Sequence, residues 1–185
     1  MGQAGASIAR VLDAFVHLSI PRVLVLKSDE LPAVLVRTVG SGKVSAVRQG
    51  FHGQLRGEAI VVYGEARCND LSDLMGYDQW ADDASDTELL RDVGNLFVGA
   101  CLRGIAEQLR VDIAFSAPSL MAGRVTAGAG ELLCSGTVPW SNALLVEVNF
   151  RLEQRSFACH LIMLIPENEI KVIASGLERF LDAIR

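Results

Sequence analysis

Two residues in the middle of the chain have the types and spacing for joint chemistry. Asp92 and Asn95 lie three apart within a segment that reads as one long helix, so both side chains project from one face. An asparagine amide both donates and accepts hydrogen bonds, which suits it to holding a water. An aspartate carboxylate takes charge-assisted bonds from a cation. Glu88 stands one turn before Asp92 on the same face, and Gly99 one turn after Asn95. On an arbitrary helix such a pair is simply solvated surface, so the elements that would position it decide what it means.

The helix is expected over Asp86–Arg110. Leu89, Val93, Leu96, Phe97 and Ala100 recur at three-and-four spacing, an apolar stripe about 100° wide, with Glu88, Asp92, Asn95 and Gly99 to one side of it. Ser85-x-x-Glu88 has the form of a capping box and sets the expected start. Glu88 therefore has a structural use beside any functional one. At 1.5 Å per residue the helix would be about 37 Å long.

The 185 residues are 50% hydrophobic and 21% charged, enough apolar material for a packed core. A net charge of −5 without any lysine or arginine cluster argues against a nucleic-acid surface. No apolar run is long enough to span a bilayer, and Asp13 and His17 interrupt the first apolar stretch, so no signal peptide and no membrane partner are expected, and the location expected is cytoplasmic. Cys68, Cys101, Cys134 and Cys159 are far apart and read as buried free thiols, signalling neither zinc nor disulfides. His17, His52 and His160 have no recognisable triad partners. Gly40-Ser41-Gly42-Lys43 looks like a phosphate loop but has Arg37 where the first glycine belongs and Val44 where Ser or Thr should follow, so a hairpin turn is the better reading.

Around the long helix the pattern predicts a first helix over Gln3–Leu18 with Ile8, Val11, Leu12 and Phe15 on one side, ended by Pro21. A strand at Val23–Leu26 follows, with Ala33–Val39 as its expected neighbour, then Val44–Phe51 and Leu55–Tyr63 as a meander turning at Gly40–Gly42 and Gly53. A short helix at Asp70–Met75 and a surface connector at Asp78–Ala84 lead into the long helix. Beyond Pro118, strands are expected at Gly130–Thr137, Asn142–Glu153 and Ser156–Ile165, the last two joined through Gln154-Arg155. Ile170, Ile173, Leu177, Phe180 and Leu181 mark a closing amphipathic helix.

Sliding the sequence by ninety-seven residues sets Gly2 on Gly99, Ile8 on Ile105, Ala9 on Ala106, Leu12 on Leu109 and Pro21 on Pro118. One domain of two related halves, about 1–80 and 81–185, is the expected organisation. On this register the counterparts of Asp92 and Asn95 fall before Met1. The pair is therefore expected once in this chain, a first site being either lost or ahead of the first residue.

The spacing of Asp92, Asn95 and, twenty-two residues on, Pro118 resembles the signature of the CheC/CheX/FliY family of chemotaxis phosphatases: Asp or Ser, three residues, Glu, two, Asn, twenty-two, Pro. Leu90-Arg91-Asp92-Val93-Gly94-Asn95 is similar to the Leu-Arg-Glu-Ile-Gly-Asn of the second site of CheC, and the likeness extends through Gly99, Val111–Ile113, Pro118 and Leu161–Pro166. The resemblance implies an α+β, CheC-like fold: a pseudo-two-fold antiparallel sheet of about six strands with two long helices on one face. It implies an enzyme whose helix enters the active site of a phosphorylated, CheY-like response-regulator receiver domain and removes phosphate from its aspartate. Asp92 and Asn95 would be the catalytic pair, and Glu88 and Gly99 would face the partner. No cofactor of its own is implied, the magnesium belonging to the receiver. A CheD-like deamidase is a further implied partner, and both monomers and homodimers occur in the family. Asp92 stands where the family has glutamate, shorter by about 1.5 Å, which leaves a weak or inactive receiver- or CheD-binding adaptor as the alternative. Pro118 reads as shaping the turn after Val111–Phe115 and nothing more.

Overall fold

The computed structural model describes residues 2–13, 15–39, 43–63, 83–124, 141–153 and 158–183. In chain order the elements are helix α1 (Gly2–Leu12), strands β1 (Val16–Leu18) and β2 (Arg22–Lys27), helix α2 (Leu31–Val39), strands β3 (Lys43–Gly53) and β4 (Gly57–Tyr63), and helix α3 (Asp83–Leu109). Strands β5 (Ile113–Phe115), β6 (Ser119–Arg124), β7 (Asn142–Leu152) and β8 (Ala158–Pro166) follow, then helix α4 (Ile170–Ala183).

All the strands join one antiparallel sheet, six strand positions wide in the order β1, β7, β8, β4, β3, β5; β2 shares the first position beside β7, and β6 the last beside β3. The halves are interlaced. β1 and β2 pair with β7, while β5 and β6 pair with β3. One stretch of the repeat keeps its spacing: α1 ends at Leu12 and α3 at Leu109, β1 starts at Val16 and β5 at Ile113, β2 starts at Arg22 and β6 at Ser119, each ninety-seven apart. The pairing repeats too, since Arg22 faces Glu147 as Ser119 faces Arg48. The expected α+β, pseudo-two-fold sheet of about six strands is what forms.

Strand alternation gives the sheet two apolar faces. Val47, Phe51, Ala59, Val61, Tyr63, Val148, Phe150, Leu161 and Met163 meet Ile8 and Leu12 of α1 and Leu89, Val93, Phe97 and Leu102 of α3. Both helices thus lie on one face, as expected. Leu89, Val93 and Phe97 are at most 1% exposed and Leu96 is partly buried. Each fully buried side chain of this kind contributes about 1.5–3 kcal/mol. The Phe97 and Phe150 rings stack with centroids 4.6 Å apart, pinning α3 to β7. On the opposite face Leu26, Ala46, Ile60, Val62, Leu145, Ile162 and Leu164 pack under Leu31 and Val34 of α2.

Five expectations are corrected. The first helix stops at Leu12, not Leu18: Asp13 turns the backbone left-handed (φ 46°), Val16–Leu18 is a strand, and Phe15 is 77% exposed instead of lying on the helix's apolar side. Ala33–Val39 is helical, not a strand, because Leu31, Val34 and Thr38 share a three-and-four face over the sheet and Pro32 in the first turn is preset for a helix start. Residues 40–42 lie outside the described residues, but a helix and not a strand precedes them, so a hairpin reading does not hold there. The long helix begins at Asp83, three residues before the expected Asp86, so Ser85 lies inside it and not at its start. In α4 the first part of the apolar stripe packs, but Leu177, Phe180 and Leu181 are 49%, 41% and 50% exposed. The expected helix at Asp70–Met75, the strand at Gly130–Thr137, the turn at Gln154-Arg155, Cys68, Cys134 and most of the Asp78–Ala84 connector lie outside the described residues.

Candidate functional site

Helix α3 presents Glu88, Asp92 and Asn95 as exposed residues on one face while the stripe beside them is buried. Its approach to the sheet is set by Gly94, between the two. A methyl group there would meet Val47 Cγ1 at 2.8 Å, Val47 Cβ at 2.9 Å and the Tyr63 hydroxyl at 3.1 Å. Tyr63 is 2% exposed and its hydroxyl donates to the Leu90 carbonyl at 3.0 Å, a bond in the buried seam. Glycine within a helix costs about 1 kcal/mol relative to alanine, and here it brings helix and strand together.

That close approach brings Asn95 within reach of β3. Gln49 lies on the sheet face that carries Val47 and Phe51 and is 2% exposed. Its Nε2 donates to Asn95 Oδ1 at 2.9 Å and to the Ser116 carbonyl at 2.9 Å. Its Oε1 is buried without a hydrogen-bond partner, a desolvation cost of about 1–3 kcal/mol. Ser116 is held in turn: its N–H donates to the Gly50 carbonyl at 2.9 Å and its Oγ accepts from the Gly50 N–H at 2.9 Å.

The spacing between Asn95 and Pro118 has a geometric reason. From Asn95 to Leu109 the helix runs about 21 Å away, and extended chain from Arg110 to Ser116 returns a similar distance at about 3.3 Å per residue. The segment between β5 and β6 thus comes back beside Asn95 with Ser116 in contact and Pro118 just before β6. Pro118 has no N–H to donate and stands at the entry to β6.

Gly99 is buried, and the side chain over it is Arg103, whose Nη2 a methyl group at Gly99 would meet at 3.3 Å. The surface one turn beyond Asn95 is therefore an arginine guanidinium lying on a glycine. Asp92, Asn95 and Glu88 stand together; Gly99 lies beneath Arg103. The sequence reading missed Gln49, Ser116, Tyr63 and the role of Gly94. The amide in the apolar row Val47, Gln49, Phe51 and the glycine inside the helix were the visible signals.

Among the described residues no three histidine, cysteine, aspartate or glutamate side chains are grouped to hold a metal ion. A cleft of about 560 Å³ lies at the far end of α3, with Arg110, Lys171 and Arg179 on its walls, roughly 22 Å from Asn95 along the helix. The pair on α3 sits on an open surface, not in that cleft. No described helix is long and apolar enough to cross a membrane.

No protein-family model and no curated protein sequence matches this chain. Solved structures do match it in fold. The chain adopts the fold shared by the CheC, CheX and FliY chemotaxis proteins. FliY from Thermotoga maritima superposes with a TM-score of 0.73 at 17% identity over 97% of this chain and 90% of that one. The FliM middle domain from H. pylori gives 0.58 at 10% identity over 94% and 88%. CheX from Borrelia burgdorferi, solved as a CheX–CheY–BeF3–Mg2+ complex, gives 0.51 at 19% identity over 89% and 94%.

Proposed function

We propose that this protein is a phosphatase for the phospho-aspartate of a CheY-like response-regulator receiver domain, ending a chemotaxis or other two-component signal. The observation that carries the reading is the exposed Asp92 and Asn95 on a buried, glycine-seated helix, with Asn95 braced from behind by Gln49. The fold shared with FliY, and with a CheX that has been solved with CheY, supports it. Hydrolysis of an aspartyl phosphate needs chiefly a placed water and charge stabilisation, and the receiver's own magnesium supplies much of the second. The Asn95 amide holds the water in line with phosphorus, and the Asp92 carboxylate pairs with a receiver lysine and fixes the docking register. Glu88, one turn earlier, extends the acidic contact surface. Both sides of the encounter are cytoplasmic.

The test is phosphate release from a magnesium-loaded, phosphorylated receiver. The wild type accelerates release and Asn95→Ala abolishes the acceleration while retaining binding. Unchanged turnover in Asn95→Ala overturns the mechanism.

A second reading rests on Asp92 itself. Its carboxylate falls about 1.5 Å short of a glutamate's, and misplacing a group by ~1 Å can cost on the order of 100-fold in rate. On that reading the protein docks a receiver, or a CheD-like deamidase, without hydrolysis. Affinity for the phosphorylated receiver with no faster dephosphorylation selects it.

A further inference from the structure

We propose that Gln49 is a positioning residue for Asn95, fixing which end of the Asn95 amide faces the partner; this rests on the phosphatase reading above. The orientation follows from hydrogen-bond chemistry. A main-chain carbonyl only accepts, so the Gln49 atom 2.9 Å from the Ser116 oxygen is the nitrogen Nε2. An amide nitrogen has two hydrogens, and the second goes to Asn95. The Asn95 atom facing Gln49 is therefore an acceptor, Oδ1, and Nδ2 with both its N–H groups is turned away from Gln49. Oδ1 keeps a second lone pair. The outward edge of Asn95 thus offers an acceptor and a donor side by side in one defined order, suited to take a hydrogen from a water and to give one to a phosphoryl oxygen.

Packing alone does not account for Gln49. It lies in a row with Val47 and Phe51, and its own Oε1 is buried with no hydrogen-bond partner. The interlaced repeat offers a comparison: the ladders that pair Arg22 with Glu147 and Ser119 with Arg48 set Gln49 of β3 against Val148 of β7. Val148 is fully buried and apolar. Because the halves are interlaced, Gln49 of the first half meets Asn95 of the second, and the matching place in the second half is filled by valine. The anchor for Gln49 is held as well, because Ser116 is clamped to Gly50 through both its N–H and its hydroxyl. The chain of contacts thus runs from Gly50 through Ser116 and Gln49 to Asn95, all backed by the sheet.

The variant that isolates this role is Gln49→Met, which keeps length and removes the amide. Two readouts separate positioning from folding. The first is the dephosphorylation rate at saturating receiver beside the affinity for a beryllofluoride-loaded receiver: the rate is expected to fall about 10- to 100-fold, with affinity within twofold. The second is the three-bond coupling between Cα and Nδ2 of Asn95, which spans χ2 and is expected to report one amide rotamer in the wild type and an average in Gln49→Met. If Gln49→Met does not fold, proton exchange of the Gln49 side chain decides in Asn95→Ala: one Nε2 hydrogen is expected to exchange faster while the one on the Ser116 carbonyl stays slow. A rate unchanged in Gln49→Met, a single rotamer in both proteins, or slow exchange of both hydrogens in Asn95→Ala overturns the proposal. If the wild type dephosphorylates no receiver, the phosphatase reading fails, while the coupling and exchange measurements still decide whether Gln49 orients Asn95.

Discussion

Asp13 and Arg110, ninety-seven residues apart, both turn the backbone left-handed, with φ of 46° and 55°. Each follows the last residue of a helix, Leu12 and Leu109, and each leads into a short edge strand. At the second site the bonds close a Schellman motif: the Val111 N–H donates to the Ala106 carbonyl at 3.0 Å and the Arg110 N–H to the Glu107 carbonyl at 3.3 Å. The left-handed residue reverses the chain so that β5 runs back along β3, and that return delivers Ser116 to Gln49.

Position 110 should therefore tolerate glycine and reject a β-branched residue. Arg110 already bears a Cβ in this region, so Arg110→Gly is expected to hold or gain up to about 1 kcal/mol, while Arg110→Val is expected to lose about 1 kcal/mol because a β-branched side chain fits the left-handed region worst. Urea denaturation of the two variants side by side checks it; equal stabilities would show that the turn does not depend on φ at this residue.

Gly94→Ala sets helix propensity against packing. Alanine is better than glycine in a helix by about 1 kcal/mol. The added methyl group would stand 2.8 Å from Val47 Cγ1 and 2.9 Å from Val47 Cβ, in a strand that has little freedom to move. Overpacking of this kind costs about 1–3 kcal/mol, so a net loss is expected, with the Tyr63–Leu90 bond weakened. Because α3 would lift from β3, the Gln49–Asn95 bond should lengthen and the dephosphorylation rate fall as well. A stabilised Gly94→Ala with full activity would contradict the seating of the helix.

How far such features could be read from the chain differs by kind. The spacing was legible because Leu12 and Leu109, and Pro21 and Pro118, keep it through helix, turn and strand, and the ends of α1 and α3 and the starts of β1 and β5 and of β2 and β6 stand at that same distance. The stripe of Leu89, Val93 and Phe97 was legible because period 3.6 survives any tertiary context. Helix α2 was not, since Val34 and Val36 favour strands locally and only packing against the sheet overrides them. The end of α1 was obscured because Val16 and Leu18 continue an apolar run into β1. Asp92 and Asn95 were visible as a pair. Gln49 was not, because strand alternation shows that a residue is buried and says nothing of a partner forty-six residues away.

The two buried thiols predict an alkaline limit to stability. Burial pushes the Cys101 thiol from the usual 9.0 up to about 12. Burial and the neighbouring Cys101 also raise Cys159. The folded protein therefore holds protons that the unfolded chain releases first. Stability is complete below about pH 8.5–9 and falls as pH rises toward 12, by up to about 1.4 kcal/mol per pH unit for each thiol. Urea denaturation at pH 8 and pH 10 measures the fall, and Cys101→Ala should lessen its slope. A stability flat between those values would mean that the thiols are not shielded in the folded state.

Replacing Asp92 by glutamate is the most direct trial of the site. The residue is exposed, and glutamate is the better helix former, so folding should hold or gain a few tenths of a kcal/mol. The carboxylate would reach about 1.5 Å further from the helix. If Asp92 fixes the docking register through a receiver lysine, the longer arm closes that contact, and Asp92→Glu should match or exceed the wild-type rate of phospho-receiver decay in stopped flow. Asp92→Ala should weaken receiver binding and leave the Gln49–Asn95 bond intact, because that bond is made on the sheet side of α3. A slower decay with Asp92→Glu would mean that this carboxylate does not occupy the glutamate's role, and Glu88, one turn nearer the start of α3, would then be the acidic residue to replace.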